Sequence, residues 1–100
     1  MALFRRNNIG EPIRKHIVFY GCVQAVGFRW RAMHAAQLYG ATGWVRNDTY
    51  GSVTMEIQGT EFQIEQVIRS LQNDEYIRID HMEEKVIPLD DEERRFRVAY

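Results

Sequence analysis

A glycine-bounded loop between a predicted strand and a predicted helix is the part of this sequence best suited to chemistry. The segment reads GCVQAVGFR from Gly21 to Arg29 and follows the β-branched and aromatic run at 17–20. Such a loop turns several backbone N–H groups toward one point, where the dipole of the following helix also favours negative charge. Arg29, one turn into that helix, adds a planar and permanently charged guanidinium that suits phosphate oxygens. The residues predict an anion site, and phosphate is the anion they fit best.

A second segment strengthens the interpretation of this loop. It reads GWVRN from Gly43 to Asn47, and GSV follows at 51–53. Together the two segments resemble the acylphosphatase family, whose members carry G-x-V-Q-G-V-G-F-R and then G-W-V-x-N with G-S-V or G-T-V shortly after. The motifs stand in the family's order and spacing, and the resemblance covers residues from about Lys15 to Tyr100. It implies an enzyme that hydrolyses small acyl phosphates to a carboxylate and inorganic phosphate.

The resemblance also implies which residues form the site. Arg29 is the side chain expected to grip the phosphate, and Asn47 is the one expected to orient the attacking water. An amide suits that role, because it accepts a hydrogen bond from water and donates one to phosphate at the same time. A surface arginine paired with a carboxylate and an asparagine that closes a turn are the ordinary alternatives. The expected phosphate-binding loop consists of Gly21, Val23, Gln24, Ala25, Val26, Gly27 and Phe28.

Two positions depart from the commonest family pattern. Ala25 stands where most members have a second loop glycine, and if that position requires a positive φ the alanine costs about 1–2 kcal/mol. Ala32, three residues after Arg29, replaces a threonine found in many relatives and removes a hydroxyl near the site. Neither change removes Arg29 or Asn47. Both leave open an alternative function, an anion-binding or regulatory module with weakened catalysis on the same fold.

Composition narrows the functional classes. A net charge of −1 and a pI of about 6.3 provide no broad basic surface, so we expect no nucleic-acid partner. No apolar stretch approaches the roughly 18 residues of a membrane span, and residues 1–11 lack the apolar region of a secretory signal. The single cysteine excludes an internal disulfide. These features predict a soluble, cytoplasmic protein without a membrane partner, and we expect a monomer.

Metal and cysteine chemistry are not predicted. The three histidines, His16, His34 and His81, are scattered without ligand spacing, so we expect no metal site and no cofactor. Cys22 lies beside the loop, but no histidine is close in sequence to activate it as a nucleophile. Cleavage of an acyl phosphate at phosphorus expels a carboxylate, a stable anion that requires neither a proton from the enzyme nor a Lewis acid.

The hydrophobic pattern predicts the element order β-α-β-β-α-β-β. Two helices are too few to cover both faces of a sheet. The expected fold class is therefore α+β, a ferredoxin-like sandwich in which a mostly antiparallel five-stranded sheet carries both helices on one face. We expect residues 1–14 to form a flexible N-terminal arm and residues 15–100 to form the acylphosphatase-like domain.

Local signals mark several of these elements. A hairpin turn is predicted at 48–51, and Thr60 with Gln63 fits a capping box at the start of the second helix. Within the fourth strand, alternation predicts that Ile77, Ile79 and His81 share one face while Met82 lies on the other. Gln24 is expected to brace the phosphate-binding loop by hydrogen bonds.

Overall fold

Five strands and two helices follow one another along the chain in the predicted order β-α-β-β-α-β-β. A computed structural model describes residues 10–100. The strands form one sheet in the spatial order β4-β1-β3-β2-β5, antiparallel at every pairing except the parallel pair of β2 and β5. The elements are β1 (Ile13–Cys22), α1 (Phe28–Tyr39), β2 (Thr42–Asn47), β3 (Val53–Gly59), α2 (Glu61–Gln72), β4 (Arg78–Ile87) and β5 (Phe96–Val98).

One hydrophobic core fills the space between the two helices and one face of the sheet. Alternate residues of the strands, such as Ile17, Phe19 and Met55, are fully buried in it together with residues of both helices. Ala32 and Ala36 of α1 belong to the same core, and their small side chains let this helix lie close to the sheet. The ferredoxin-like α+β sandwich is confirmed. Within residues 10–100, none of the helices has the length and apolar character needed to cross a membrane.

The two helices begin in different ways, although each has twelve residues. At α2 the predicted capping box is present: the Gln63 N–H donates to Thr60 Oγ1 at 3.2 Å, and the Thr60 N–H donates to Gln63 Oε1 at 2.8 Å. Helix α1 follows Gly27 and has neither a side-chain cap nor an acidic residue in its first turn. The first N–H groups of a helix cannot bond within it. Those of α1 are therefore left without a side-chain acceptor.

The face assignment expected for residues 77–82 is wrong after a β-bulge. Beside Tyr20, strands β1 and β4 lose register by one residue, and Asp80 is the extra residue of β4. A bulge of this kind reverses the alternation of the residues that follow it. Met82 therefore packs against the core. His81 lies on the exposed face, where its ring stacks on Tyr20 with 5.6 Å between centroids.

A buried arginine ties the first strand to the chain segment before the last one. The expected arm of residues 1–14 overlaps β1, which begins at Ile13, and Arg14 is only 4% exposed. Its guanidinium donates to both carboxylate oxygens of Glu93, at 2.8 and 3.2 Å, and lies 3.4 Å from Glu56 Oε1. Hydrogen bonding to Glu93 raises the pKa of Arg14, against the opposing effect of burial. The remainder of the predicted arm, residues 1–9, lies outside the described residues.

This ion pair predicts a large difference between two neighbouring substitutions. Arg14→Ala removes the cation shared by Glu93 and Glu56, so it should lower the free energy of unfolding by about 3 kcal/mol or more at neutral pH. Lys15→Ala removes a more exposed pair with Glu84, at 3.0 Å, and should cost at most about 1 kcal/mol. Urea denaturation of both variants measures the difference. Equal losses would contradict the structural importance of Arg14.

Candidate functional site

The loop between β1 and α1 contains two residues with left-handed backbone conformation. Ala25 has a φ of 62° and Gly27 has a φ of 80°. Among the residues from 10 to 100, Ala25 is the one non-glycine residue with a positive φ. This conformation costs an alanine about 1–2 kcal/mol, because its Cβ crowds the following carbonyl group. Position 25 does have a positive φ, so Ala25 carries the backbone strain expected from the sequence in that case.

Gln24 connects this loop to the hairpin between β2 and β3. Its Nε2 donates to the backbone carbonyl oxygens of Asp48 and Ser52, both at 2.8 Å. The predicted brace is confirmed, and it reaches the turn that directly follows Asn47. One side-chain amide thus fixes the loop relative to the end of β2.

The hairpin itself is held by the Asp48 carboxylate. Oδ2 accepts hydrogen bonds from Ser52 Oγ at 2.8 Å and from Thr54 Oγ1 at 2.7 Å, and Oδ1 accepts from Arg46 Nε at 3.3 Å. Partial burial acts to raise the pKa of Asp48, but these hydrogen bonds and the Arg46 charge outweigh it and lower the pKa below its ordinary value. The carboxylate is therefore ionised at neutral pH. The signal that sequence reasoning missed is a turn aspartate with hydroxyls four and six residues later.

Arg31 holds the other side of the loop. Its Nε donates to the Val26 carbonyl oxygen at 3.3 Å, and its Nη1 lies 2.7 Å from Asp74 Oδ2. The guanidinium also lies over the Tyr76 ring, 5.3 Å from the centroid. Sequence reasoning missed this contact, because Asp74 stands 43 residues further along the chain and only the fold brings it near.

Arg29 and Asn47 line the same cleft. Arg29 lies in the first turn of α1 and Asn47 ends β2, so the two reach the cleft from different elements. The cleft has a volume of about 310 Å³. The Arg29 guanidinium lies over the Tyr100 ring, 5.2 Å from its centroid. The other lining residues are Val23, Ala25, Gly27, Phe28, Trp30, Met33, Val98 and Tyr100.

Three members of the expected phosphate-binding loop do not line this cleft. Gln24 is the brace described above, and Val26 packs partly buried against the core. Gly21 pairs with β4, where a Cβ would overlap the Arg78 carbonyl group. These three residues hold the loop in position without lining the cleft. Val23, Ala25, Gly27 and Phe28 are the loop members that border the cleft.

The other candidates from the sequence lie away from the cleft. Cys22 is exposed and pairs with β4, and Ala32 is fully buried in the core. His16 contacts Glu56, with Nδ1 2.7 Å from Oε2. Trp44 is half-buried, and the Arg46 guanidinium lies over its ring, 5.2 Å from the ring centroid. Within the described part of the chain, no three histidine, cysteine or acidic side chains come together as metal ligands.

The electrostatics of the cleft favour an anion. Arg29 has the one charged side chain among the described residues that line it. The N-terminus of α1 adds unbonded N–H groups and the positive end of the helix dipole. Asn47 supplies an amide that both donates and accepts. The arrangement can bind a phosphoryl group and, beside it, a water molecule.

Comparison with known proteins identifies the family. A family model of acylphosphatases matches residues 15–98. The chain belongs to the acylphosphatase family. It is 39% identical over 82 residues to an acylphosphatase of Lactobacillus johnsonii, a match that covers 80% of this chain and 90% of that protein.

Solved structures share the fold. An acylphosphatase from Bacillus subtilis superposes with a TM-score of 0.81 at 24% identity, covering 88% of this chain and 99% of that one. Full-length HypF in a phosphate- and nucleotide-bound form also gives a TM-score of 0.81, at 28% identity. That match covers 92% of this chain but 12% of HypF. The acylphosphatase fold therefore also forms one part of a much longer protein.

The methyl group of Ala25 predicts a gain in phosphate binding when it is removed. Ala25→Gly takes this methyl group from the cleft wall, so inorganic phosphate should bind about fivefold more tightly, equivalent to roughly 1 kcal/mol. Isothermal titration calorimetry with inorganic phosphate measures the change. The left-handed penalty is shared by the free and bound protein, so its removal should appear as a higher free energy of unfolding.

Ala35→Gly in the interior of α1 serves as the matched control. There the backbone is helical, so the same substitution should lower the free energy of unfolding by about 1 kcal/mol and leave phosphate affinity unchanged. Unchanged or weaker phosphate binding by Ala25→Gly would show that position 25 does not need a glycine.

Proposed function

We propose that this chain hydrolyses small acyl phosphates, with Arg29 binding the phosphoryl group and Asn47 orienting the water that attacks it. One observation carries the proposal: both side chains line one cleft, at the end of α1 that no side chain caps. Membership of the acylphosphatase family supports the same reaction. The products are a carboxylate and inorganic phosphate.

The phosphoryl group of the substrate occupies the polar end of the cleft. Its oxygens accept hydrogen bonds from backbone N–H groups at the start of α1 and from the Arg29 guanidinium. The Tyr100 ring beneath the guanidinium restricts its position, and this contact is itself favourable. During transfer, negative charge spreads over the three equatorial oxygens, and these fixed donors stabilise it without reorganising.

Asn47 places the water in line with the bond that breaks. The turn after Asn47 is held by Asp48 and Gln24, so the side chain projects from a fixed strand end. Its amide oxygen accepts a hydrogen bond from the water, while its NH₂ donates to a phosphoryl oxygen. The water oxygen bonds to phosphorus as the bond from phosphorus to the carboxyl oxygen breaks. The carboxylate leaves with that electron pair, and the protons of the water remain on the phosphate product.

We also propose that the protein acts as a monomer in the cytoplasm and without nucleic acid. Cys22, the single cysteine, is exposed and free, as is usual in a reducing compartment. The net charge of −1 gives no overall attraction to a polyanion.

Hydrolysis of benzoyl phosphate in the presence of a chelator tests the reaction. We expect turnover that inorganic phosphate inhibits and that exhaustive chelation leaves unchanged, because the departing carboxylate needs no Lewis acid. A strict requirement for added Mg²⁺ or Zn²⁺ would contradict the mechanism. Saturable phosphate binding without turnover would instead support an anion-binding module, the function that the strained Ala25 favours.

Arg29 is expected to act in both the ground state and the transition state. Arg29→Ala should weaken phosphate binding and lower kcat by roughly 10²–10³-fold, as for a principal oxyanion donor. Arg29→Lys should restore little, because a point charge does not reproduce the planar fork. Steady-state kinetics with phosphate as a competitive inhibitor separates the two effects. Arg69→Ala, an exposed arginine of α2, is the control and should change neither.

Asn47 is expected to act on the water alone. Asn47→Ala should therefore collapse kcat while the inhibition constant for phosphate changes much less. Asn73→Ala removes an exposed amide at the end of α2 and should leave kcat unchanged. Circular dichroism confirms that each variant is folded. Lost phosphate affinity with normal turnover at saturation would reassign Asn47 to substrate binding.

A further inference from the structure

Apolar as well as polar side chains line the cleft, and we refer to the part lined by Trp30, Met33 and Val98 as its apolar end. Trp30 follows Arg29 in α1, lines the cleft and is 57% exposed. Met33, one turn along the helix from Trp30, and Val98 of β5 line the cleft with it. A large aromatic ring gains free energy when a ligand removes it from water. The side chains at this end are therefore suited to an apolar group attached to the bound phosphate.

The Trp30 ring is held in place before any ligand arrives. His34 lies one turn further along α1, and the two ring centroids are 4.0 Å apart with the planes inclined at 46°. This contact restricts the rotation of the indole. A side chain that is already ordered loses less conformational entropy on binding, so the contact favours affinity.

Charge limits what the apolar end accepts. Arg29 has the one charged side chain among the described residues that line the cleft. In the proposed function this side chain already binds the phosphoryl group. A second anionic group on the acyl part of a substrate finds no second cation among these residues. The volume of about 310 Å³ is at the lower end of the range for ligand pockets, so the acyl group must also be small.

We propose that Trp30, supported by Met33, binds the acyl group of the substrate and selects small aromatic or bulky apolar acyl phosphates. Acetyl phosphate and acyl phosphates with a second negative charge are the poorer substrates. This specificity rests on the proposed function, because it assumes that the phosphoryl group is bound beside Arg29. Trp30 takes no part in the cleavage itself.

Three substrates test the selection. The wild-type kcat/KM for benzoyl phosphate should exceed that for acetyl phosphate by about fivefold to tenfold, the contribution of one aromatic stack, and succinyl phosphate should be poorest. Trp30→Ala should reduce the benzoyl-to-acetyl ratio to about one, mainly through a higher KM for benzoyl phosphate. Trp30→Phe should keep most of the preference, because the ring is retained.

Two controls separate selection from damage to the phosphate site. Trp30→Ala should leave inhibition by inorganic phosphate unchanged, since phosphate carries no acyl group to contact the indole. Leu38→Ala removes another exposed apolar side chain of α1, 76% exposed and outside the cleft, and should leave all three substrates unchanged. Equal losses for benzoyl and acetyl phosphate in Trp30→Ala would overturn the proposal, as would a wild-type enzyme without a preference.

A binding measurement keeps this proposal distinct from the proposed function. Benzoylphosphonate and acetylphosphonate carry a P–C bond that cannot be hydrolysed, so calorimetry with them reports binding alone. Tighter binding of benzoylphosphonate that Trp30→Ala abolishes would support the role of Trp30 even if no acyl phosphate were turned over. Equal affinities for the two phosphonates would overturn that role, even in an active acylphosphatase.

Discussion

The organising constraint of this structure is a helix N-terminus that its own side chains do not satisfy. Helix α2 has a complete capping box, whereas α1 begins after Gly27 with no cap and no carboxylate in its first turn. Unbonded N–H groups and a helix dipole there favour an anion, and none of the described residues that line the cleft has an acidic side chain that would compete with it. A missing cap lowers the stability of the free protein, and in the proposed function a bound phosphoryl group supplies the acceptor that the helix lacks.

Long-range contacts keep this helix end in position. Gln24 joins the loop to the β2–β3 hairpin, and Arg31 joins it to Asp74. Arg14 binds Glu93, which lies just before β5. The parallel pairing of β5 with β2 then brings Val98 and Tyr100 to the cleft. These contacts explain how a loop that contains a strained alanine keeps one conformation. The surrounding structure determines the backbone more strongly than Ala25 opposes it.

The sequence predicts what depends on local patterns, and it fails where distant pairing decides. The capping box at Thr60 and the positions of Arg29 and Asn47 follow from short motifs, and the element order follows from hydrophobic periodicity. The bulge at Asp80 depends on the register between β1 and β4, so alternation alone placed Met82 on the wrong face. The apolar end of the cleft was missed for the same reason. Val98 comes to it from β5, and nothing in its local sequence indicates that it will lie beside α1.

In the arrangement we propose, the polar and the apolar residues of the cleft act on different parts of the substrate. Groups at the polar end meet the phosphoryl oxygens that every acyl phosphate shares, so changes there act on all substrates alike. Trp30 meets only the part that differs between substrates, so changes there act on their ratio. We place Ala25 in the first class, because it belongs to the loop that leads into the N-terminus of α1, where the phosphoryl group is proposed to bind. Its effect should therefore be the same for every acyl phosphate.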